Sequence, residues 1–292
     1  MLLAEYLENW LTVFVAPFKA ANTAAGYRRA INALPAKLMQ TELSQVTALQ
    51  LQAAINAKAK KHPRAAQLMY ATLHAALAKA AVGKGGLGLI QHNPCAACIK
   101  PLHEPAKAAV LTAAQLHAYL EAAKYERSFP LLALMALCGL RRSEALGLTW
   151  AAVDLAAATV TIRQQRLRID HGYKAAPLKS NSSKRQLVIP AQLVELLKPY
   201  RGFPKAWVVD ITPEALAKAH DRCIEASGSP HVTLHGLRHS MATIAAGQGI
   251  SMKLLQVTLG HASFSLTANL YADHQGAEAT IPVISTVSAA IM

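Results

Sequence analysis

The sequence predicts a mainly α fold with a small β-hairpin or sheet, an α+β protein of two domains, and three observations carry that prediction. Apolar side chains recur at three- and four-residue intervals near the amino terminus, alanine is abundant throughout, and period-two alternation is confined to two short stretches between residues 159 and 190. A chain of 292 residues with 53% hydrophobic side chains can fill two modest cores.

The elements follow in order. Leu3, Leu7, Trp10, Leu11 and Phe14 make one stripe, and Met69, Leu73, Ala76, Leu77 and Ala80 make another, so residues 1–98 read as a helical bundle. Gly83-Lys84-Gly85-Gly86-Leu87-Gly88 has the spacing of a dinucleotide-binding turn, but it follows a helical pattern rather than a strand. It is read as a helix-terminating loop. Cys95-Ala96-Ala97-Cys98, near His92 and His103, lacks the second ligand pair that zinc would need, so no metal site is expected. Residues 99–111 form a linker, after which Thr112 and Gln115 make a capping-box start for a new helix. The apolar run over residues 130–140 is too short to cross a bilayer and suits a buried helix. Thr159-Val160-Thr161-Ile162-Arg163 and Arg185-Gln186-Leu187-Val188-Ile189-Pro190 are the two strand candidates.

Thirty Lys and Arg against sixteen Asp and Glu leave a net charge of +14, split as +8 over residues 1–107 and +6 over residues 108–292. Such an excess favours polyanions through counterion release, and its presence on both halves suits a clamp that grips DNA from two sides. Arg28, Arg29, Lys58, Lys60, Lys61 and Arg64 are candidate phosphate contacts in the first domain. Residues 1–8 carry acids where an export signal needs basic residues, no membrane span is visible, and four cysteines make a poor disulfide framework. A cytoplasmic, nucleoid-associated location is expected, with no membrane partner.

The residues that carry chemistry lie further along. Cys138-Gly139-Leu140-Arg141-Arg142-Ser143-Glu144 places a charged cluster directly after the buried run. His235-Gly236-Leu237-Arg238-His239 is followed by Leu259-Gly260-His261 and, ten residues after His261, by Tyr271. An arginine holds two oxygens of a phosphodiester, a histidine moves protons near neutral pH, and a tyrosine can form a covalent phosphoester. These groups in this order suggest DNA strand transfer.

On these boxes the chain resembles the tyrosine recombinases, the family of phage integrases and chromosome-dimer resolvases. Gly139-Leu140-Arg141-x-x-Glu144 is similar to the family's first arginine box, and Thr233-x-His235-x-Leu237-Arg238-His239-Ser240-x-Ala242-Thr243 to its second. Leu259-Gly260-His261 with Tyr271 resembles the closing histidine and nucleophile. Pro177-Leu178-Lys179-Ser180-Asn181-Ser182-Ser183-Lys184-Arg185 resembles the turn that carries the family's catalytic lysine, which selects Lys179 over its neighbours Lys174 and Lys184.

The resemblance implies a helical core-binding domain (residues 1–98) before a catalytic domain (residues 112–292). It implies that Arg141 and Arg238 clamp the scissile phosphate, that Tyr271 attacks phosphorus, and that His235 accepts the phenolic proton. Lys179 would then protonate the departing 5′-oxygen, His261 would hydrogen-bond a nonbridging oxygen, and Glu144 would orient a cation or His235 rather than hold a metal. No cofactor is expected, because the phosphotyrosyl link stores the bond energy. The implied protein is a site-specific recombinase of a phage or mobile element acting on double-stranded DNA as a homotetramer, with accessory DNA-bending proteins as further partners. A housekeeping resolvase, a type IB topoisomerase-like enzyme and a non-cutting DNA-binding relative are the alternatives. The apolar tail over residues 272–292 is expected to dock on a neighbouring protomer.

Overall fold

The structure, a computed structural model, describes residues 1–103, 108–169, 172–179, 183–260, 288 and 289. The chain divides into two compact units, Met1–Ala106 and Lys107–Met292.

The first unit is built from helices α1 (Leu3–Trp10), α2 (Ala21–Asn32), α3 (Ala36–Met39), α4 (Ala48–Ala59) and α5 (Pro63–Ala80). Thr47 starts α4 by exchanging hydrogen bonds with Gln50, and Pro63 opens α5 where its missing N–H is not needed. Both sequence stripes face inward: Leu3, Leu7, Trp10 and Leu11 are buried with Met69, Leu73, Ala76, Leu77 and Ala80, and Phe14 packs at the edge. Tyr6 sits inside this core and its hydroxyl donates to the Ala76 carbonyl at 2.5 Å. The glycine-rich segment is a loop ending α5, tied back by Leu87 N to the Lys79 carbonyl, and Gly83, Gly85 and Gly88 take positive φ. Cys95 lies within a short 3-10 turn, Pro94–Ala97, that Cys98 ends; both are buried, and burial pushes the Cys95 thiol up to about 12.

The second unit begins with α6 (Ala113–Ala123), where Gln115 N donates to Thr112 Oγ1 and Thr112 N to Gln115 Oε1 in the expected capping box. The apolar run becomes α7 (Phe129–Cys138), buried at all ten positions. Each of its leucines stabilises the unit by about 1.5–3 kcal/mol relative to an exposed side chain. Against α7 pack α8 (Arg142–Leu146), α9 (Ala191–Leu197) and, along it, α11 (Leu234–Gly247), while α10 (Pro213–Ala226) packs on α6 and α12 (Met252–Leu259) on α11. Gly139 ends α7 at φ +66°, and a Cβ there would lie 2.7 Å from Leu259 Cδ2 and 2.9 Å from Met241 Cε. Only glycine fits both the left-handed turn and the close approach of α11 and α12.

Strands β1 (Val153–Asp154), β2 (Thr159–Ile162) and β5 (Arg185–Val188) form a three-stranded antiparallel sheet in the order β1-β2-β5. The two strand candidates of the sequence are thus β2 and β5, paired directly from Thr159 with Val188 to Ile162 with Arg185. Between them the chain makes a further hairpin, β3 (Gln164–Ile169) with β4 (Gly172–Pro177), which the alternation did not disclose. Lys179 therefore follows β4, on the connection to β5, rather than the turn of a single hairpin.

Candidate active site

The turn after α7 delivers Arg141, and the sequence forces it to do so. Gly139 breaks the helix, Leu140 is buried, and Arg141 becomes the residue preceding α8. Its backbone N–H donates to Glu144 Oε2 at 3.0 Å, while its Nη1 reaches Glu144 Oε1 at 2.6 Å and Ser183 Oγ at 3.4 Å. Its Nη2 donates to the Gly260 carbonyl at 2.9 Å. Arg238, projecting from α11, is only 2% exposed; its Nη1 donates to the Gly139 carbonyl at 2.5 Å and its Nη2 to the Leu259 carbonyl at 2.7 Å. The two guanidinium groups therefore bind the end of α7 to the end of α12, immediately before His261.

His235 and His239 lie one turn apart on α11, with ring centroids 4.5 Å apart in an edge-on arrangement. Desolvation lowers the His235 pKa to about 4, helped by repulsion from His239, Arg238 and Arg141. Desolvation and Arg238 also lower that of His239. Both imidazoles are consequently neutral near pH 7, and the neutral His235 keeps a lone pair that can accept a proton.

Glu144 is 2% exposed. Its burial raises its pKa, but the hydrogen bond and charge of Arg185, followed by those of Arg141, outweigh that and hold the carboxyl below the usual range. Arg141, Glu144, His235 and Arg238 thus share one neighbourhood. Lys179 is exposed on the connection whose far end, Ser183, touches Arg141. His261 and Tyr271 lie outside the described residues. Tyr173, another tyrosine of this unit, donates to Glu214 Oε1 at 2.7 Å.

Sequence reasoning missed the burial of Arg185, although strand parity held the signal. In β5 and just beyond, Arg185 shares its face with Leu187 and Ile189, which are both buried. Its side chain is 5% exposed and its Nη2 lies 2.9 Å from Glu144 Oε2.

Among the DNA-contact candidates of the first unit, Arg29, Lys60, Lys61 and Arg64 are exposed and Lys58 is half-buried. Arg28 is held in a two-pronged pair with Glu8, both contacts 2.9 Å, which offsets its charge. Lys61 and Arg64 line a groove of about 770 Å³ beside Lys100 at the start of α5.

Residues 109–278 match the Phage integrase family model, so the chain belongs to the phage integrase family, the tyrosine recombinases. Within it, the chain is 26% identical over 182 residues to a XerC-like tyrosine recombinase of Caldanaerobacter subterraneus, a match covering 52% of this chain and 46% of that protein. It is 25% identical to the putative prophage phiRv2 integrase of Mycobacterium tuberculosis, over 89% of this chain and 71% of the relative. The chain spans about half the length of the XerC-like protein and of the Tn916 transposase it also matches. In fold it is similar to the Tn1549 transposon integrase solved with a circular intermediate DNA (TM-score 0.77, 19% identity, covering 93% of this chain and 95% of that one). A lambda integrase dimer bound to a core site gives a TM-score of 0.68 at 20% identity, covering 91% and 97%.

Proposed function

We propose that the protein is a site-specific DNA recombinase of a phage or other mobile element, which cuts and rejoins double-stranded DNA through a 3′-phosphotyrosyl intermediate. The observation that carries this reading is the pairing of a buried, doubly anchored Arg238 with Arg141 beside a neutral His235. Two fixed guanidinium groups supply preorganised positive charge where a phosphodiester develops extra negative charge in its pentavalent transition state. His235, neutral at working pH, accepts the phenolic proton of Tyr271 as that oxygen attacks phosphorus. The bound phosphate offsets the cationic repulsion that adds to desolvation in depressing the His235 pKa, which favours proton acceptance once DNA is in place. Lys179 delivers a proton to the departing 5′-oxygen, and His261 donates to a nonbridging oxygen. Attack by the 5′-hydroxyl of a partner strand reverses the step and joins new ends.

Recombination between two duplexes calls for four active sites, so we assign a homotetramer assembled on DNA, aided by DNA-bending proteins. A lambda integrase tetramer bound to a Holliday junction, similar in fold with a TM-score of 0.71, supports that assignment. Exposed Lys60, Lys61 and Arg64 supply phosphate contacts from the first unit. Incubation with a nicked duplex, whose 5′-hydroxyl is lost on cleavage, tests the reading. A covalent protein–DNA adduct should accumulate in excess EDTA without nucleotide. A strict need for Mg²⁺ in the chemical step, or binding with no adduct on duplexes carrying the element's own ends, would contradict it.

A further inference from the structure

Glu144 is shared by two arginines of different character. Arg141 touches it from a position open to solvent, with 33% of its side chain exposed, whereas Arg185 reaches it from within the sheet with 5% exposed. Arg185 donates through Nη2 to Glu144 Oε2 at 2.9 Å and through Nη1 to the Ser183 carbonyl at 3.1 Å, while its buried Nε has no hydrogen-bond partner among the described residues. A guanidinium this little exposed, with an N–H unmet among the described residues, is an expensive way to fill the space beside Leu187 and Ile189, which an apolar side chain would fill at less cost.

Charge accounting supplies a reason for it. Arg141 needs Glu144 to hold its backbone and guanidinium in place, yet a carboxylate 2.6 Å from Nη1 also cancels much of the positive field that Arg141 can exert on a phosphate. With Arg185 present, the three side chains carry a net single positive charge, and Arg141 is the member that faces solvent. The lowered pKa of Glu144 agrees, since the contributions of Arg185 precede those of Arg141 in opposing burial.

We propose that Arg185 is a positioning residue for strand cleavage: it takes up the charge of Glu144, so that Glu144 can orient Arg141 without quenching its pull on the scissile phosphate. Through Ser183, which accepts from Arg185 at its carbonyl and from Arg141 at Oγ, the same contact fixes one end of the connection that carries Lys179. This inference rests on the recombinase reading of the site.

The test is a charge cycle in the full chain, read as single-turnover adduct formation on the nicked duplex, with melting curves for each variant. Arg185→Gln leaves Glu144 to neutralise Arg141 and should slow cleavage on the order of 100-fold. Arg185→Lys, which keeps the charge, should stay within about tenfold of wild type. Removing both charges in Arg185→Gln/Glu144→Gln should recover at least about tenfold of the Arg185→Gln loss, because Arg141 regains its net charge. A double variant as slow as the product of the two single losses overturns the proposal, as does an Arg185→Gln variant within about threefold of wild type. Should Arg185→Gln prove too unstable to assay, Arg185→Lys and the double variant decide: each within about tenfold of wild type supports the proposal, and either one about 100-fold down overturns it. A wild-type chain that forms no adduct would count against the recombinase reading itself, whereas additive variants of a cleaving enzyme count against this inference alone.

Discussion

Gly139→Ala tests how closely the site depends on backbone geometry. Gly139 combines φ +66° with contacts that would bring a new Cβ to 2.7 Å from Leu259 Cδ2 and 2.9 Å from Met241 Cε. The left-handed conformation costs a non-glycine residue about 1–2 kcal/mol. The two contacts are side-chain tips, so they can give slightly, but Met241 and Leu259 are 0% and 1% exposed and have little free space. Overpacking therefore adds about 1 kcal/mol, the low end of its usual range. A loss of about 2–3 kcal/mol in a unit of this size corresponds to a fall in Tm of about 4–12 °C. Gly228→Ala supplies the control, because Gly228 has φ +62° with nothing within 4 Å of its new Cβ. Scanning calorimetry of the second-unit transition should show Gly139→Ala falling further than Gly228→Ala. Adduct formation should also suffer more, since the Gly139 carbonyl anchors Arg238. Equal shifts would refute the packing argument, and a negligible shift in both would refute the conformational one.

Other outcomes follow from the same geometry. Arg238→Lys keeps the charge but loses the planar fork that spans the Gly139 and Leu259 carbonyls, so the cleavage rate should drop by about 10²–10³ while DNA affinity in a gel-shift assay changes little. Because His235 must be neutral to accept a proton and its pKa lies near 4 in the free protein, kcat/KM should show no loss on acidification from pH 8 through 6.5 and should fall only as pH approaches about 4. An inflection near 6.5 that disappears in His235→Gln would contradict the assigned depression. Glu144, whose pKa is held low by its arginines, contributes stability present above the ordinary carboxylate pKa and lost as pH falls through its lowered value. Glu144→Gln should therefore flatten the acid limb of Tm against pH.

Much of this was legible in the residues because strong local signals coincided with the tertiary structure. An unbroken apolar run of this length favours a buried helix, and Thr112 with Gln115 can satisfy each other's N–H groups without help from the rest of the chain. The hairpin of β3 and β4 was hidden because polar and charged residues sit on both of its faces: Gln164, Gln165, Arg166 and Arg168 alternate with little apolar contrast. Arg185 was hidden for another reason. Charge beside a polar turn reads as solvated and outweighs the parity that Arg185 shares with Leu187 and Ile189, while its partner Glu144 lies 41 residues earlier in the chain. Arg28 was a phosphate candidate by charge alone until folding brought Glu8 against it. These are long-range pairings, which composition and periodicity do not encode.

The most direct measurement of the central claim is mass spectrometry of the protease-digested adduct formed on a nicked duplex in EDTA. The account predicts a single modified peptide with the DNA 3′-phosphate esterified to Tyr271, and no adduct from Tyr271→Phe even though that variant binds the duplex as wild type does, having lost one hydroxyl and no positive charge. A nucleotide attached to Tyr173 or any other side chain, or an undiminished adduct in Tyr271→Phe, would contradict it.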